Sequence, residues 1–318
     1  MLAYHRVEQP GTLDLAPTVI DAYPADFEAQ MRYISGHYNV VSSWDVVRAI
    51  REGRSLPRRA LVITFDDAYR SFADNALPVL KRLGLPVSLF VVTHFVDSPG
   101  TAFWWDSLYR ALATTELAEL AVPGMGRFLL TGPEERIAAY ERLVELLERT
   151  EQAKMARTVE SIVEQCAVQP SASNHILSWE EIRALAASGV NVGPHSRHHI
   201  VLSQADRTRA RAEIAGSWRD LQARVPMALP IFCYPTGKPH AVNRAVARIV
   251  QEAGMSAAYT MVPGLNVIGR TNPYLLYRIG MLSGESLRKF AIKIGTTGRI
   301  YRKLKSIASP GARAQLNF

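Results

Sequence analysis

Two adjacent carboxylates, Asp66 and Asp67, follow a mostly apolar run that extends from residue 61 to residue 65. A run without polar alternation predicts a strand that is buried on both faces. Carboxylates at the end of such a strand are costly to bury unless a metal ion, a cationic partner or a shared proton compensates their charge. The alternative is a turn or a helix cap, because Asp often begins the segment after a strand.

Two histidines, His195 and His199, lie four positions apart after another strand-like stretch. On a helical turn this spacing places both imidazoles on one face, where they can bind one zinc-like ion. The alternative is a pair of surface histidines. Asp66 or Asp67 would complete a three-ligand site. Ser196 stands where a zincin motif needs glutamate, so the general base must come from elsewhere, and Asp66 or Asp67 is the obvious source.

The elements that would position these residues alternate between strands and helices. Strand-like runs lie at residues 2–7, 39–41, 61–65, 87–93, 190–193, 229–234, 256–261 and 275–281. This alternation favours parallel βαβ units in an α/β barrel, where reactive residues follow the strands at one face. Ser178-Trp-Glu-Glu181 has the spacing of a capping box. Residues 103–170 break the alternation with charged, helix-forming sequence, so we expect a helical insertion there.

Length and composition exclude several classes of protein. The chain has 318 residues, of which 48% are hydrophobic, enough for a large core. Its two cysteines are too few for a disulfide framework or a cysteine zinc site. No apolar run reaches the ~18 residues that span a bilayer. The N-terminus lacks the pattern of a secretory signal, which predicts a cytoplasmic protein.

The net charge of +8 originates in the C-terminal segment. Eight Lys or Arg residues and no Asp or Glu lie between Ser286 and Phe318. Such a segment can bring the chain into contact with an anionic membrane surface, and a solvated helix face is the alternative. Because the remainder is formally neutral, we expect no nucleic-acid partner. We therefore predict a barrel domain over residues 1–282 and a basic tail over residues 283–318.

Three motifs in order resemble those of the polysaccharide deacetylases, the NodB-homology domain of carbohydrate esterase family 4. They are Thr64-Phe-Asp-Asp67, His195-Ser-Arg-His-His199 and Phe232-Cys-Tyr-Pro-Thr-Gly237, and the resemblance covers roughly residues 1–282. It implies a distorted (β/α)7 barrel, similar to a TIM barrel, with the helical insertion added. It also implies a metal-dependent amidohydrolase that acts on N-acetylated sugars.

The resemblance implies a role for five of these residues. Asp67, His195 and His199 would bind one divalent metal ion, which is usually zinc in the family. Asp66 would be the general base that takes a proton from the attacking water. The backbone N–H of Tyr234 would stabilise the tetrahedral oxyanion together with the metal.

The chain departs from the family pattern in three places. Ala68 replaces the usual glycine after the aspartates, the arginine of the third motif is absent, and Arg278 stands in the region of the missing Leu-x-His motif. The histidine of that late motif is the family's usual general acid. We therefore expect His5, at the end of the first strand, to protonate the leaving amine, with His94 as a second candidate. The alternative for His5 is a buried histidine satisfied by hydrogen bonds.

Aromatic and polar residues near the motifs provide candidate substrate contacts. Trp105, within the stretch Phe103-Trp-Trp-Asp106, is predicted to stack on a sugar ring, although anchoring of the insertion is an alternative. Tyr234, Pro235 and Arg278 complete the predicted substrate-binding set. The N-terminal Tyr-His, the Phe-Trp-Trp-Asp stretch and the late Arg-Ile are similar to a branch of the family involved in exopolysaccharide biosynthesis.

The sequence therefore favours an N-deacetylase of an N-acetylated polysaccharide or lipid-linked glycan precursor. A second hypothesis keeps the metal site but hydrolyses another amide, such as that of a formamido sugar. A third is a glycan-binding protein without activity, which the missing acid and arginine favour. The intact set of Asp66, Asp67, His195 and His199 disfavours the third hypothesis, because binding alone does not require it.

Overall fold

A computed structural model describes residues 1–9, 11, 16–168 and 175–295. The chain divides into two compact units. The first comprises Met1–Gln9, Ile20–Asp97 and Ile176–Phe318, and the second comprises Pro10–Val19 and Ser98–His175. The insertion expected over residues 103–170 falls within the second unit. Most of the predicted basic tail lies outside the described residues, which end at residue 295.

Strands and helices alternate along the first unit, and the second unit adds further strands and helices. The strands are β1 (Leu2–Tyr4), β2 (Arg6–Val7), β3 (Ile20–Ala22), β4 (Asn39–Val40), β5 (Ala60–Leu61), β6 (Ile63–Phe65), β7 (Ser88–Val91), β8 (Glu119–Val122), β9 (Gly126–Leu129), β10 (Asn191–Pro194), β11 (Ile231–Cys233), β12 (Ala257–Tyr259) and β13 (Ile279–Gly280). The α-helices are α1 (Pro24–His37), α2 (Ser43–Glu52), α3 (Leu77–Arg82), α4 (Thr93–Asp97), α5 (Trp104–Thr114), α6 (Pro133–Leu147), α7 (Gln152–Gln165), α8 (Trp179–Ala187), α9 (Arg207–Arg224), α10 (Arg244–Glu252) and α11 (Leu287–Ile294). Those of the second unit are β8, β9 and α5 to α7. None of these helices combines the length and the apolar character needed to cross a membrane, within the part of the chain described.

Seven parallel strands of the first unit form a nearly closed ring. Five of them make one sheet in the order β10-β7-β6-β1-β13, and β11 pairs with β12. The N–H of Leu229, before β11, donates to the carbonyl of Val192 in β10 over 2.7 Å. On the other side, the N–H of Leu276 donates to the carbonyl of Ala258 in β12 over 2.9 Å, and the chain then continues into β13. The predicted distorted (β/α)7 barrel is confirmed.

The barrel interior is filled by aromatic and aliphatic side chains from successive strands. Phe90 of β7 and Tyr259 of β12 pack edge to face with ring centroids 5.5 Å apart, and both are fully buried. On the outer face of the strands, Tyr4 and Phe65 stack with centroids 5.3 Å apart where β1 pairs with β6, and both rings pack against Phe27 of α1. These strands read as continuous apolar runs because both of their faces are covered. Their carboxyl ends therefore emerge at one face of a rigid core.

The second unit is not wholly helical. Residues 119–129 form an antiparallel hairpin of β8 and β9, in which Leu120 and Val122 are buried while Glu119 and Ala121 are exposed. This period of two is the strand pattern, and the left-handed Gly124, with φ 75°, supplies the turn. The expectation of helices alone overlooked this short alternation among the charged residues around it.

Candidate metal centre and active site

The two adjacent aspartates lie where β6 ends, and both are almost fully buried. The N–H of Asp66 donates to the carbonyl of Tyr4 over 2.8 Å and so extends the pairing with β1. Asp67 and Ala68 then adopt φ values of 69° and 57°. Left-handed backbone costs a residue other than glycine roughly 1–2 kcal/mol. This turn sends the two carboxylates to different neighbours.

Asp67 lies beside the two histidines predicted as metal ligands. Its Oδ1 is 3.5 Å from Nε2 of His195 and 3.6 Å from Nε2 of His199. One ligand atom from each residue falls within 4.8 Å of those of the others. A tetrahedral ion with bonds of ~2.1 Å separates its ligand atoms by about 3.4 Å. The spacing of the three donors therefore fits one such ion.

Both histidines are in the neutral form that a metal ligand requires. Burial lowers the pKa of His195 to about 4. Burial, reinforced by the neighbouring His195 and His5, holds the pKa of His199 well below its usual value. Nδ1 of His195 lies 2.8 Å from the carbonyl oxygen of Cys233, so Nδ1 carries the proton. Nε2 is then unprotonated, and its lone pair is free to bind a metal ion. The donor chemistry of the trio therefore agrees with its spacing.

A second group of possible donors, Asp66, His195 and Cys233, is less suited to a metal. Burial raises the pKa of the Cys233 thiol well above its usual value, whereas metal ions bind the thiolate. In addition, Nη2 of Arg278 lies 2.9 Å from this sulfur and 2.7 Å from Oδ2 of Asp66. A guanidinium thus already occupies the place that a cation would need.

Arg278 makes a two-pronged ion pair with Asp66 inside the barrel. Nη1 donates to Oδ1 over 2.8 Å, and Nη2 donates to Oδ2 over 2.7 Å. The remaining donors reach the carbonyl of Thr260 and the hydroxyl of Thr64. Burial alone would raise the pKa of Asp66, but the charge and the hydrogen bonds of Arg278 hold it well below its usual range. Asp66 is therefore ionised at neutral pH.

The position of Arg278 does not agree with the substrate contact that the sequence predicted. Its side chain is fully buried, and its guanidinium is engaged with protein groups at the carboxyl ends of β6, β11 and β12. Sequence reasoning missed this pairing, because the two residues are 212 positions apart. Arg278, directly before the last strand, thus presents its guanidinium to Asp66 in a chain whose third motif has Cys233 and no arginine.

His5 lies between β1 and β2, beside the same carboxylates. Its Nδ1 is 3.0 Å from Oδ2 of Asp21, whose oxygen also accepts the backbone N–H of His5, and its Nε2 is 4.0 Å from Oδ2 of Asp66. Burial alone would lower the pKa of His5, but the charge and hydrogen bond of Asp21, with the charges of Asp67 and Asp66, raise it to about 9. The sequence analysis did not identify Asp21 as a functional residue. The feature that could have indicated it is a carboxylate between the apolar residues Ile20 and Ala22 in a short strand.

The third motif differs from the expected arrangement. The N–H of Tyr234 donates to the carbonyl of Tyr259 over 3.0 Å, as part of the β11–β12 ladder. It is therefore not available to an oxyanion, and the role predicted for it is wrong. The Tyr234 hydroxyl donates to the carbonyl of Tyr274, and Pro235 is buried. The adjacent Thr236, half-buried with φ 59°, carries the next backbone N–H in the motif.

The remaining candidates lie away from these contacts or in the other unit. Trp105 is buried in the second unit and stacks on Phe103 with ring centroids 4.4 Å apart, so its contact with a sugar stays a prediction. The His94 ring lies against that of His198, with centroids 4.4 Å apart. Burial, together with the charge of His198, lowers the pKa of His94, which disfavours it as a proton donor at neutral pH.

The fold is an α/β barrel, and at its strand ends Asp67, His195 and His199 form a group that could hold one metal ion. The model of the polysaccharide deacetylase family matches residues 53–258, more than half of the chain. The chain belongs to the polysaccharide deacetylase family, as the three motifs indicated.

Similar proteins agree with this family. Over 259 residues the chain is 24% identical to the poly-β-1,6-N-acetyl-D-glucosamine N-deacetylase of Escherichia coli strain K12, an alignment that covers 81% of this chain and 33% of that protein. The chain thus spans about one third of the length of the curated relatives it matches.

Solved structures share the fold. The deacetylase PplD of Streptococcus pyogenes, in complex with acetate, has a TM-score of 0.61 at 16% identity, over 92% of this chain and 96% of that one. IcaB from Ammonifex degensii has a TM-score of 0.58 at 17% identity, over 92% and 95% of the two chains. At these identities the likeness shows the fold alone.

Proposed function

We propose that this chain is a metal-dependent hydrolase that removes acetyl groups from an N-acetylated glycan. The convergence of Asp67, His195 and His199 beside an ionised Asp66 carries this proposal. Membership of a family of carbon–nitrogen hydrolases supports it. The name of the Escherichia coli relative favours a β-1,6-linked N-acetylglucosamine polymer as the substrate. A lipid-linked glycan precursor is the second candidate.

Zinc is the metal that we propose for the site. Two neutral imidazole nitrogens and one carboxylate oxygen form a donor set typical of zinc sites that keep one position open. When bound, a divalent ion would polarise the acetamide carbonyl and make a water molecule more acidic. Asp67, His195 and His199 would hold this ion, and the proton of His195 on Nδ1 would keep its Nε2 directed at it.

Asp66 would accept the proton of the attacking water. Its ionised carboxylate is fixed by the two bonds from Arg278, so it needs no reorganisation when the proton arrives. A carboxylate with so low a pKa is a weak base, and it is suited to removing a proton from an unusually acidic water. Arg278 would therefore be a positioning residue and not a substrate-binding one.

His5 would donate a proton to the leaving amine. Asp21 holds its Nδ1 and favours the imidazolium form, which leaves the proton on Nε2 near Asp66. As the C–N bond breaks, this proton would pass to the sugar nitrogen, so that acetate and an amine are released. The charge of a bound divalent cation would bring the pKa of His5 down from about 9, closer to the working pH of a general acid.

The N–H of Thr236 is the donor that we propose for the oxyanion. The N–H of Tyr234 is engaged in the strand ladder, and Pro235 has none. The left-handed conformation of Thr236 turns the chain out of β11, and this residue is accessible to solvent while its neighbours are buried. Such a donor would stabilise the tetrahedral oxyanion more than the planar amide.

Acetate release from purified protein tests the proposal. We expect zinc-loaded protein to release acetate from β-1,6-linked N-acetylglucosamine oligomers. In Asp66→Asn we expect the rate of release to fall by a factor of ~10²–10⁴, although the variant still binds zinc. Oligomers with β-1,4 linkages are the matched control for linkage. Bound zinc without release of acetate, formate or another acyl product would contradict the proposal and favour a glycan-binding protein.

The cytoplasmic location and the membrane contact of residues 283–318 stay predictions. The first part of this segment forms α11, whose Arg288 and Lys289 are exposed. Cosedimentation with vesicles that contain or lack an anionic lipid tests the contact, since electrostatic attraction requires the anionic lipid and weakens with salt.

A further inference from the structure

The loop His195–His199 carries both histidine ligands and has a strained backbone. Ser196 and His199 have φ values of 64° and 54°, in the left-handed region. Such residues persist only where the surrounding structure holds them, because each costs of order 1–3 kcal/mol. Within the loop, the N–H of His199 donates to the Ser196 hydroxyl over 3.0 Å. The stronger constraints come from other elements.

A buried acid on α9, Glu213, holds the middle of this loop. Its Oε2 accepts the backbone N–H groups of Arg197 over 3.0 Å and His198 over 2.8 Å. Its Oε1 lies 2.8 Å from Nδ1 of His198 and 2.8 Å from Nη2 of Arg209. Four donors thus converge on a side chain that is 1% exposed. A buried carboxylate is tolerated only with such compensation.

The start of α4 holds the loop from its other side. The N–H of Thr93 donates to the carbonyl of Ser196 over 3.2 Å, and the N–H of His94 donates to the carbonyl of Arg197 over 3.0 Å. These bonds and those of Glu213 leave the peptide groups between the two ligands with one orientation. His199 then follows directly from a chain segment whose position is set by α9.

A second acid of α9, Asp220, contacts the same loop in a different way. It accepts two bonds from the side chain of Arg197, both of 2.7 Å, and one of 3.0 Å from the Thr93 hydroxyl. The Arg197 guanidinium passes over α9 at Gly216, and a Cβ atom at this position would lie only 2.6 Å from Nε of Arg197. Asp220 therefore binds a side chain of the loop, whereas Glu213 binds its backbone. The two acids form a natural matched pair.

We infer that Glu213 is a positioning residue, which sets the distance between His199 and Asp67 and thereby the metal affinity of the site. This inference rests on the proposed metal-dependent function. A carboxylate that orients a ligand-bearing group from outside the donor set commonly contributes 10–100-fold in metal affinity. The signal in the sequence is an acid at position 213 on the face of α9 that also carries the buried Ala210, Ile214 and Ser217.

Zinc affinity of the full chain, measured by competition with a chelating dye, tests this role. Glu213→Gln keeps the size of the side chain but replaces one accepting oxygen with an NH₂ group, which cannot accept the hydrogen bonds that this oxygen receives. We expect its dissociation constant for Zn²⁺ to rise roughly 10–100-fold. We also expect the amides of Arg197 and His198 to exchange faster with solvent in the metal-free protein. Asp220→Asn, which leaves those amides bonded, is expected to change the dissociation constant less than about threefold.

The outcomes separate a positioning role from general stabilisation of the loop. Equal losses of zinc affinity in the two variants, or an unchanged affinity in Glu213→Gln, would overturn the inference. Thermal unfolding of both variants, run beside these measurements, identifies a variant that is merely unfolded, and Glu213→Asp then replaces it. Wild-type protein that binds Zn²⁺ but releases no acetate refutes the proposed function and leaves this test valid. Wild-type protein that does not bind Zn²⁺ overturns both.

Discussion

Two sides of the candidate active site treat neighbouring carboxylates in opposite ways. On the arginine side, defined by Asp66 and Arg278, a buried guanidinium of the protein itself neutralises the acid. On the histidine side, defined by Asp67, His195 and His199, the acid faces imidazoles whose pKa values are lowered. One side is thus completed by the chain, and the other has the composition of a site for a cation. The difference supports the proposed roles of Asp66 as the general base and of Asp67 as a metal ligand.

The largest expected effect concerns the arginine side. Arg278→Met would leave Asp66 buried without its cation, which costs about 3–5 kcal/mol of unfolding free energy. Denaturant unfolding of the metal-free protein measures this loss. The double variant Asp66→Leu, Arg278→Met removes both charges and should recover most of it. If the single variant lost less than about 1 kcal/mol, the guanidinium would not be the compensating charge.

The histidine side should respond to metal instead. At a free zinc concentration 100 times its dissociation constant, we expect the wild type to gain about 2.7 kcal/mol of stability, which a chelator removes. His199→Ala should show no such gain, although its metal-free stability stays near that of the metal-free wild type. Thermal unfolding with zinc and with chelator measures both. Arg278→Met is expected to be less stable than the wild type. If zinc stabilises this variant, relative to its own metal-free form, by as much as it stabilises the wild type, the two sides act separately.

His5 connects the two sides and gives a pH dependence. Its pKa of about 9 in the folded, metal-free protein exceeds the ~6.5 of an unfolded histidine. Protonated His5 therefore contributes on the order of 2 kcal/mol to the free energy of unfolding. This contribution is fully present below pH ~6.5 and is lost as the pH rises through 9. Urea unfolding at pH 6 and pH 9.5 measures it. His5→Gln should flatten this dependence, and so should Asp21→Asn; a wild-type slope retained in both variants would exclude His5 as its source.

The smallest expected effect is that of a matched surface pair. Arg70 and Glu181 also form two parallel hydrogen bonds, of 2.6 and 3.1 Å, but both side chains are more than one third exposed. Arg70→Met should therefore cost about 0–1 kcal/mol. Denaturant unfolding beside Arg278→Met gives the comparison directly. If Arg70→Met and Arg278→Met lost similar amounts of unfolding free energy, burial would not determine the cost of breaking such an ion pair.

The parts of the fold and site that depend on local sequence were predictable. The apolar run before Asp66, the spacing of His195 and His199 and the capping box at Ser178 each follow from neighbouring residues, and the structure has a strand end, a donor pair and a helix start there. The metal-ligand and base roles themselves remain predictions that the proposed experiments test. The family resemblance supplied the distorted seven-stranded barrel, whereas the alternation of strands and helices indicated only an α/β barrel.

The errors came from pairings that the sequence does not encode locally. The N–H of Tyr234 is engaged because β11 lies in register with β12, and Arg278 meets Asp66 because the last strand pairs with the first. The family resemblance implied that the N–H of Tyr234 was an oxyanion donor, and Arg278 was predicted as a substrate contact without knowledge of its partner. A strand register shifted by one residue would exchange the groups that face the site, so neither assignment could be made before the topology was known.

The pairing of the last strand with the first also has a consequence for biosynthesis. Asp66 leaves the ribosome 212 residues before the cation that neutralises it. At a translation rate of about 5–20 residues per second, the nascent chain waits roughly 10–40 s for Arg278. The barrel cannot close around a charged, uncompensated acid during this interval. Folding of the first unit should therefore be largely post-translational, and ribosome-bound chains that end before β13 should remain sensitive to protease.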